Sequence, residues 1–257
     1  MDVQIGFSDK TYQGDYHELF QKLNVIIERA APILTKHGGI MFNITARGCS
    51  AVFKDSPEDA VKAAVELRHE LMESKAESGD DEKPELRIAL DKGSVAAGVV
   101  GPDSHISPML VSRSLNTTHT LIKLSEKLDA NILCTAAVSE LAGDCRLRYI
   151  GKTKDGYVVR RVYEIFEADP VESREAKEKT KDKFGEGVFA IYDGDFSKAK
   201  AVFGEITENG SADSVASYYL SMAEECDKDK SERDKADKDE ADNDKTEEDK
   251  IEEILLS

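Results

Sequence analysis

Apolar positions along this chain change period several times, and each change marks an element. Val3 to Phe7 is a short apolar segment that reads as a first strand. From about Asp15 to Lys36 the period becomes helical, with Leu19, Phe20, Leu23, Ile26, Ile27, Ala30, Ile33 and Leu34 forming one wide stripe. Pro32 lacks an N–H and crowds the preceding turn, which predicts a kink or break, and Gly38-Gly39 supplies a stop. Ile40 to Thr45 and Cys49 to Phe53 then read as two short strands hinged at Ala46-Arg47-Gly48. Ser56-Pro57-Glu58-Asp59 is a helix start, with a capping hydroxyl, proline at the first helical position and acids in the first turn. That helix continues through Ala60, Ala64, Leu67 and Leu71 to about Ser74, and the polar stretch from Lys75 to Glu85 reads as a surface loop.

Further on, Leu86–Leu90 and Ser94–Val100 read as two strands joined by a turn at Lys92-Gly93. A helix is predicted from roughly Ser112 to Leu128, a strand from Ala130 to Cys134 and a short helix from Thr135 to Leu141. Arg146–Gly151 and Tyr157–Phe166 pair as a last hairpin turning near Asp155-Gly156. Strand, helix, hairpin, helix, strand pair, helix, strand and hairpin in this order define an α+β sandwich.

The pattern changes after Ala168. Phe184, Val188, Ile191 and Tyr192 form one helical face, Phe196, Ala199, Val202, Phe203 and Ile206 the next, and Val215, Tyr218, Tyr219 and Met222 a third. This spacing is loosely similar to a tetratricopeptide-type helical unit, which cannot bury its faces alone and must dock on something. From Asp227 to Lys250 the chain is nearly all Asp, Glu, Lys, Ser and Ala, a composition that gives disorder or a solvated single helix. The predicted organisation is a domain over 1–168, a helical extension over 169–226 and a charged tail over 227–257.

A formal net charge of -17 argues against a nucleic-acid surface, because phosphate neutralisation needs clustered Lys and Arg. No apolar run approaches a bilayer span, and the Met1 end carries no charged-then-apolar signal pattern. Cys49, Cys134, Cys145 and Cys226 show neither paired nor metal-binding spacing, so thiols in a reducing cytoplasm are expected. The histidines His17, His37, His69, His105 and His119 show no ligand spacing either.

One set of segments resembles a known family. Leu23-Asn24, then Ile33-Leu34-Thr35-Lys36-His37-Gly38-Gly39, then a hairpin ending Ala51-Val52-Phe53, is similar to the class III adenylate/guanylate cyclase catalytic domain. The likeness continues at Ser56-Pro57-Glu58-Asp59-Ala60, Leu86-Arg87-Ile88-Ala89-Leu90, Gly93–Gly101, Asn116 and Val162-Tyr163-Glu164-Ile165, and so spans roughly Val3 to Glu167. It implies a ferredoxin-like sandwich in which a mixed, largely antiparallel sheet carries helices on one face.

The resemblance also assigns positions. Cyclisation of a nucleoside triphosphate uses two carboxylates to hold two divalent cations. The first metal Asp should end the first strand, where Asp9 stands; the second falls in the hairpin turn, where this chain has Arg47. The base-recognition Lys or Glu aligns with Asn43 and its partner with Met109. Asn116 matches the Asn that orients the ribose, Thr120 replaces the transition-state Arg, and Lys152 or Lys154 falls where the family carries a phosphate-binding Lys.

The expectation that follows is a catalytically degenerate cyclase-homology protein in cytoplasmic signalling, with no cofactor, or Mg2+ or Mn2+ only if active. It would dimerise with itself or with an active cyclase-domain protein, and its C-terminal helices offer a surface to a protein partner. The alternative is an active adenylate or guanylate cyclase working within a heterodimer whose partner supplies the metal carboxylates. A third reading makes the chain a structural helper acting through its helices and tail.

Overall fold

The structure is a computed structural model that describes residues 1–6, 16–73, 85–102, 105–155, 158–208 and 213–236. Its contacts divide the chain into two compact units: Met1–Lys127 with Asn131–Cys145, and Leu128–Ala130 with Arg146–Ser257.

In the first unit the strand order is β2-β3-β1-β4-β7. Here β1 is Asp2–Gly6, β2 Gly39–Thr45, β3 Gly48–Phe53, β4 Glu85–Leu90 and β7 Ile132–Thr135. All neighbours run antiparallel except β4 and β7, which are parallel. Leu86, Ile88, Ala89 and Leu90 are buried, as is all of β7, and such near-continuous burial is what an interior strand requires.

Helix α1 (Tyr16–Lys36) and helix α2 (Pro57–Glu73) pack against β2, β3 and β4. Leu19, Leu23, Ile26, Ala30, Ile33 and Leu34 of α1 are buried, as their spacing predicts. Pro32 lies inside α1 without ending it. The helix stops at Lys36, where the Gly38 N–H bonds the Thr35 carbonyl at 3.0 Å. At the start of α2 the Ser56 hydroxyl accepts the Glu58 N–H at 3.1 Å, the expected cap.

Helix α3 (Arg113–Leu128) meets the strands through polar groups. Gln4 donates to Glu126 at 2.7 Å, Arg87 donates to the Ser125 carbonyl at 2.8 Å, and His119 lies 3.0 Å from Asp2. Cys49 and Cys134 are buried, Cys145 and Cys226 are partly exposed, and no disulfide joins them. Desolvation pushes the Cys49 thiol up to about 11 and that of Cys134 higher still.

One pairing differs from the sequence reading. Leu86–Leu90 and Ser94–Val100 do not form a hairpin. The chain runs extended after Leu90, and β5 (Ala96–Val100) pairs instead with β6 (Ser107–Val111) as a separate two-stranded ribbon. The reason is burial: β4 needs a hydrogen-bonded neighbour on each side and takes β1 and β7. Met109 and Val111 are exposed while Leu110 is buried, and Pro108 removes a ladder donor, so Ser107–Val111 gives a weak strand signal.

In the second unit, β8 (Leu147–Asp155) and β9 (Val158–Ile165) form the expected last hairpin, and the short helix before it, α4, is Ala136–Ser139 of the first unit. Three helices follow: α5 (Val171–Tyr192), α6 (Phe196–Glu208) and α7 (Ser214–Ala236). Phe184, Phe203 and Tyr219 pack with ring centroids 5.2–5.7 Å apart. The Tyr219 hydroxyl donates to the Ile150 carbonyl. Gly151 sits beside it at φ +143°, where a Cβ would come within 2.8 Å of that hydroxyl oxygen.

A buried ionic cluster joins hairpin to helices. Arg148 bonds Glu164 at 2.7 Å and Asp213 at 2.5 and 2.7 Å, and its guanidinium lies 4.1 Å from the Phe184 ring centroid. Lys177 donates to Glu164 and Asp169, each at 2.6 Å. Asp213 also caps α7 by accepting the Ala216 N–H. Burial alone would raise the Asp213 carboxyl, but the Arg148 hydrogen bonds and charge outweigh it and hold it below the ordinary carboxylate value.

Replacing Arg148 with Ala leaves Asp213 buried without its guanidinium partner and should cost about 3–5 kcal/mol in urea unfolding. A depressed folded-state value means that the Asp213 contribution is present above the unfolded value of about 4 and is lost as pH falls through the lower folded value. An Asp213→Asn chain should therefore show a shallower loss of stability on acidification than the parent.

Candidate functional site

The β2–β3 hairpin is fixed by main-chain atoms. The Ile5 N–H donates to the Arg47 carbonyl at 2.7 Å, and the Arg47 N–H donates to the Thr45 hydroxyl at 3.2 Å. Gly48 has φ +135°, and a Cβ there would lie 1.9 Å from the Val3 carbonyl oxygen, so this corner accepts no side chain. The register shifts between Phe42 and Thr45, and Asn43 lies in that irregularity at φ +49°. Among side-chain-bearing residues, Asn is one that tolerates this left-handed region. Asn43 and Arg47 are both exposed.

Met109 stands on β6 opposite Gly98 and is 46% exposed. Asn116 is an exposed residue in the first half of α3, and the Thr120 hydroxyl one turn later donates to the Asn116 carbonyl at 3.1 Å. Thr120 thus spends its hydroxyl on its own helix. The positions assigned from the sequence fall into two sets, Asn43 with Arg47 on one hairpin and Met109 with Asn116 and Thr120 on β6 and α3. Asp9 lies outside the described residues. Lys152 and Lys154 are exposed residues of β8, in the second unit.

At the hairpin turn this arrangement sets a cation where the resemblance assigns a metal ion. The turn that would offer a carboxylate offers the Arg47 guanidinium. A unit charge repels a like unit charge by about 4 kcal/mol at ~4 Å and an effective dielectric of ~20, and a divalent ion doubles that.

Sequence reading did not anticipate a cavity of about 100 Å3 in the first unit, bounded by Phe53, Leu90, Val95, Leu110, Leu115 and Val138. Its polar rim includes Asp91, Ser112, Ser114 and Thr118. Asp91 accepts the Thr135 hydroxyl at 2.6 Å, and Ser112 accepts the Ser114 N–H and donates to the Ser94 carbonyl. None of Asn43, Arg47, Met109, Asn116 and Thr120 lines it. The signal for it is Asp91-Lys92-Gly93 directly after the apolar run Ile88-Ala89-Leu90, a sequence suited to a polar turn at the end of a buried element.

No protein-family model matches the chain, and no curated protein matches its sequence. Solved structures do match its fold. A bacterial light-regulated adenylyl cyclase superposes with a TM-score of 0.57 at 18% identity, over 66% of this chain and 52% of that one. This chain therefore corresponds to about half the length of that protein. The adenylyl cyclase CyaB from P. aeruginosa gives 0.52 at 19% identity, over 64% of this chain and 93% of the other. The guanylate cyclase domain of RhGC from Catenaria anguillulae, in complex with GTP, gives 0.51 at 16% identity, over 64% and 94%. The chain has the fold of the adenylyl and guanylyl cyclase domains, a mixed α+β sheet with helices, followed by C-terminal helices.

The hairpin geometry makes a testable statement about Gly48. Gly48→Ala must move the main chain away from Val3, and a loss of at least about 2 kcal/mol in chemical denaturation is expected.

Proposed function

We propose that this chain is a catalytically degenerate cyclase-fold protein of intracellular signalling that works by association with a second cyclase-fold chain. The observation that carries the reading is Arg47, an exposed cation at the hairpin turn where the family resemblance requires a metal carboxylate. Met109 in place of a polar base-recognition residue and Thr120 in place of an arginine point the same way. The β5–β6 ribbon supports association. Val111 is 64% exposed, with Val100 and Met109 each 46% exposed on the same face, and Val99 is exposed on the other face. The apolar face made by Val100, Met109 and Val111 is the kind of surface that a second chain covers. One of the structures of like fold is described as a non-canonical dimeric guanylyl cyclase domain, and it superposes with a TM-score of 0.50.

A second reading rests on Asn116, which keeps the ribose-orienting identity on an exposed face of α3. In that reading the chain lends Asn116 to a site whose carboxylates come from a partner, within an active adenylate or guanylate cyclase.

Incubation of the purified chain with ATP or GTP and Mg2+ or Mn2+ should yield no cyclic nucleotide above the protein-free blank. Sustained formation by this chain alone would overturn the proposal, and formation only with a second cyclase-fold chain present would favour the second reading. Arg47→Asp should not confer activity, because Asn43, Met109 and Thr120 still differ from the required groups. In sedimentation equilibrium, Val100→Lys with Val111→Glu should weaken self-association at least about tenfold, as expected when charges enter an apolar interface core.

A further inference from the structure

In the second unit the β8–β9 hairpin presents one face whose chemistry is at odds with a strongly acidic chain. The register pairs Tyr149 with Tyr163, Lys152 with Arg161 and Lys154 with Val159, and the irregularity between Tyr149 and Gly151 puts all six on one face. Lys152, Lys154 and Arg161 are exposed, and among the described residues no carboxylate forms an ion pair with any of them. Lys152 and Arg161 stand directly opposite each other, a like-charge pair that destabilises a hairpin unless something anionic compensates.

The same face carries apolar surface. The Tyr149 ring contacts Tyr163 edge-on at 5.6 Å and stacks on Phe189 of α5 at 5.8 Å, and Phe189 is 59% exposed. Val159 is 54% exposed. Exposed Phe189, with half-buried Tyr149 and Tyr163 beside it and three cations bordering the face, fits a ligand that combines carboxylates with aliphatic side chains.

Such a sequence follows α7. It reads Thr246-Glu247-Glu248-Asp249-Lys250-Ile251-Glu252-Glu253-Ile254-Leu255-Leu256. Its reach suffices. Tyr219 anchors α7 to the hairpin through the Ile150 carbonyl, and α7 ends at Ala236, about 25 Å further along the helix at 1.5 Å per residue. The residues from 237 to 247 can span up to about 36 Å when extended, enough to return.

We propose that Glu247–Leu256 docks in cis on this hairpin face, its carboxylates on Lys152, Lys154 and Arg161 and its Ile and Leu side chains on Phe189, Tyr149 and Tyr163. The tether makes the contact intramolecular, so a modest intrinsic affinity holds it. The proposal is independent of whether the cyclase-fold unit is catalytically silent.

Zero-length carbodiimide cross-linking of the full chain, with peptide mapping, tests it. Amide links from Glu247, Glu248, Glu252 or Glu253 to Lys152 or Lys154 should exceed links to Lys198, an exposed lysine of α6, by at least about tenfold. They should weaken as salt rises from ~0.1 M to ~1 M, which shortens the screening length from ~10 Å to ~3 Å. In an equal mixture of light and heavy isotope-labelled chains, the links should join residues of the same chain. Lys152→Glu with Arg161→Glu alters exposed side chains, and links to Lys154 should then fall about tenfold while circular dichroism is unchanged. Ile254→Asp with Leu255→Asp should lower them as well. Equal labelling of Lys198, indifference to these substitutions, or links between light and heavy chains would each overturn the proposal.

Discussion

Strand β1 is hydrogen-bonded on both edges, to β3 and to β4, and this two-sided pairing fixes what lies at its ends. Val3 faces Cys49 on one side and Ile88 on the other. Ile5 carries the register into the Arg47 carbonyl. The hairpin turn is therefore held by main-chain groups and by the Gly48 corner. The shape of this corner is thus set by main-chain geometry. A fold and the chemistry it carries are separable in this way.

Much of the scaffold is readable from the residues because local signals agree with the tertiary outcome. The Ser56 cap, the α1 stripe and the last hairpin all appear where spacing and turn chemistry put them. Strand partners are less legible. Ser107–Val111 carries a proline and a mostly exposed pattern, so its pairing with β5 depends on β4 being claimed by β1 and β7, a non-local fact. Within the candidate site, the identities at Asn43, Arg47, Met109, Asn116 and Thr120 could be assigned by resemblance. The left-handed backbone at Asn43 and the back-bonding of the Thr120 hydroxyl could not. The ionic cluster around Arg148 is hard to read from the sequence because its members come from five separate places in the chain. Charged residues inside apolar strands, Arg148 between Leu147 and Ile150 and Glu164 between Tyr163 and Ile165, are its visible traces.

The second unit shows how charge can specify an arrangement that apolar packing alone leaves loose. Phe184, Phe203 and Tyr219 supply most of the buried ring surface, but rings of similar size can repack. Arg148 admits fewer solutions, since its guanidinium must meet Glu164 and Asp213 at once while lying over Phe184. Asp213 in turn can cap α7 only if that helix begins where it does. The cluster thereby couples the start of one helix to the register of a hairpin.

The distribution of the cysteines has a use of its own. Cys49 and Cys134 sit on β3 and β7 with their thiols buried and hard to ionise, whereas Cys145 and Cys226 are partly open to solvent. Only a thiolate reacts quickly with an alkylating agent, so the two interior sulfurs stay silent until the strands that hold them separate. Mass-resolved labelling would then read the lifetime of the intact sheet from the arrival of the third and fourth adducts. The chain thus carries its own clock for the opening of its central strands, with no probe added.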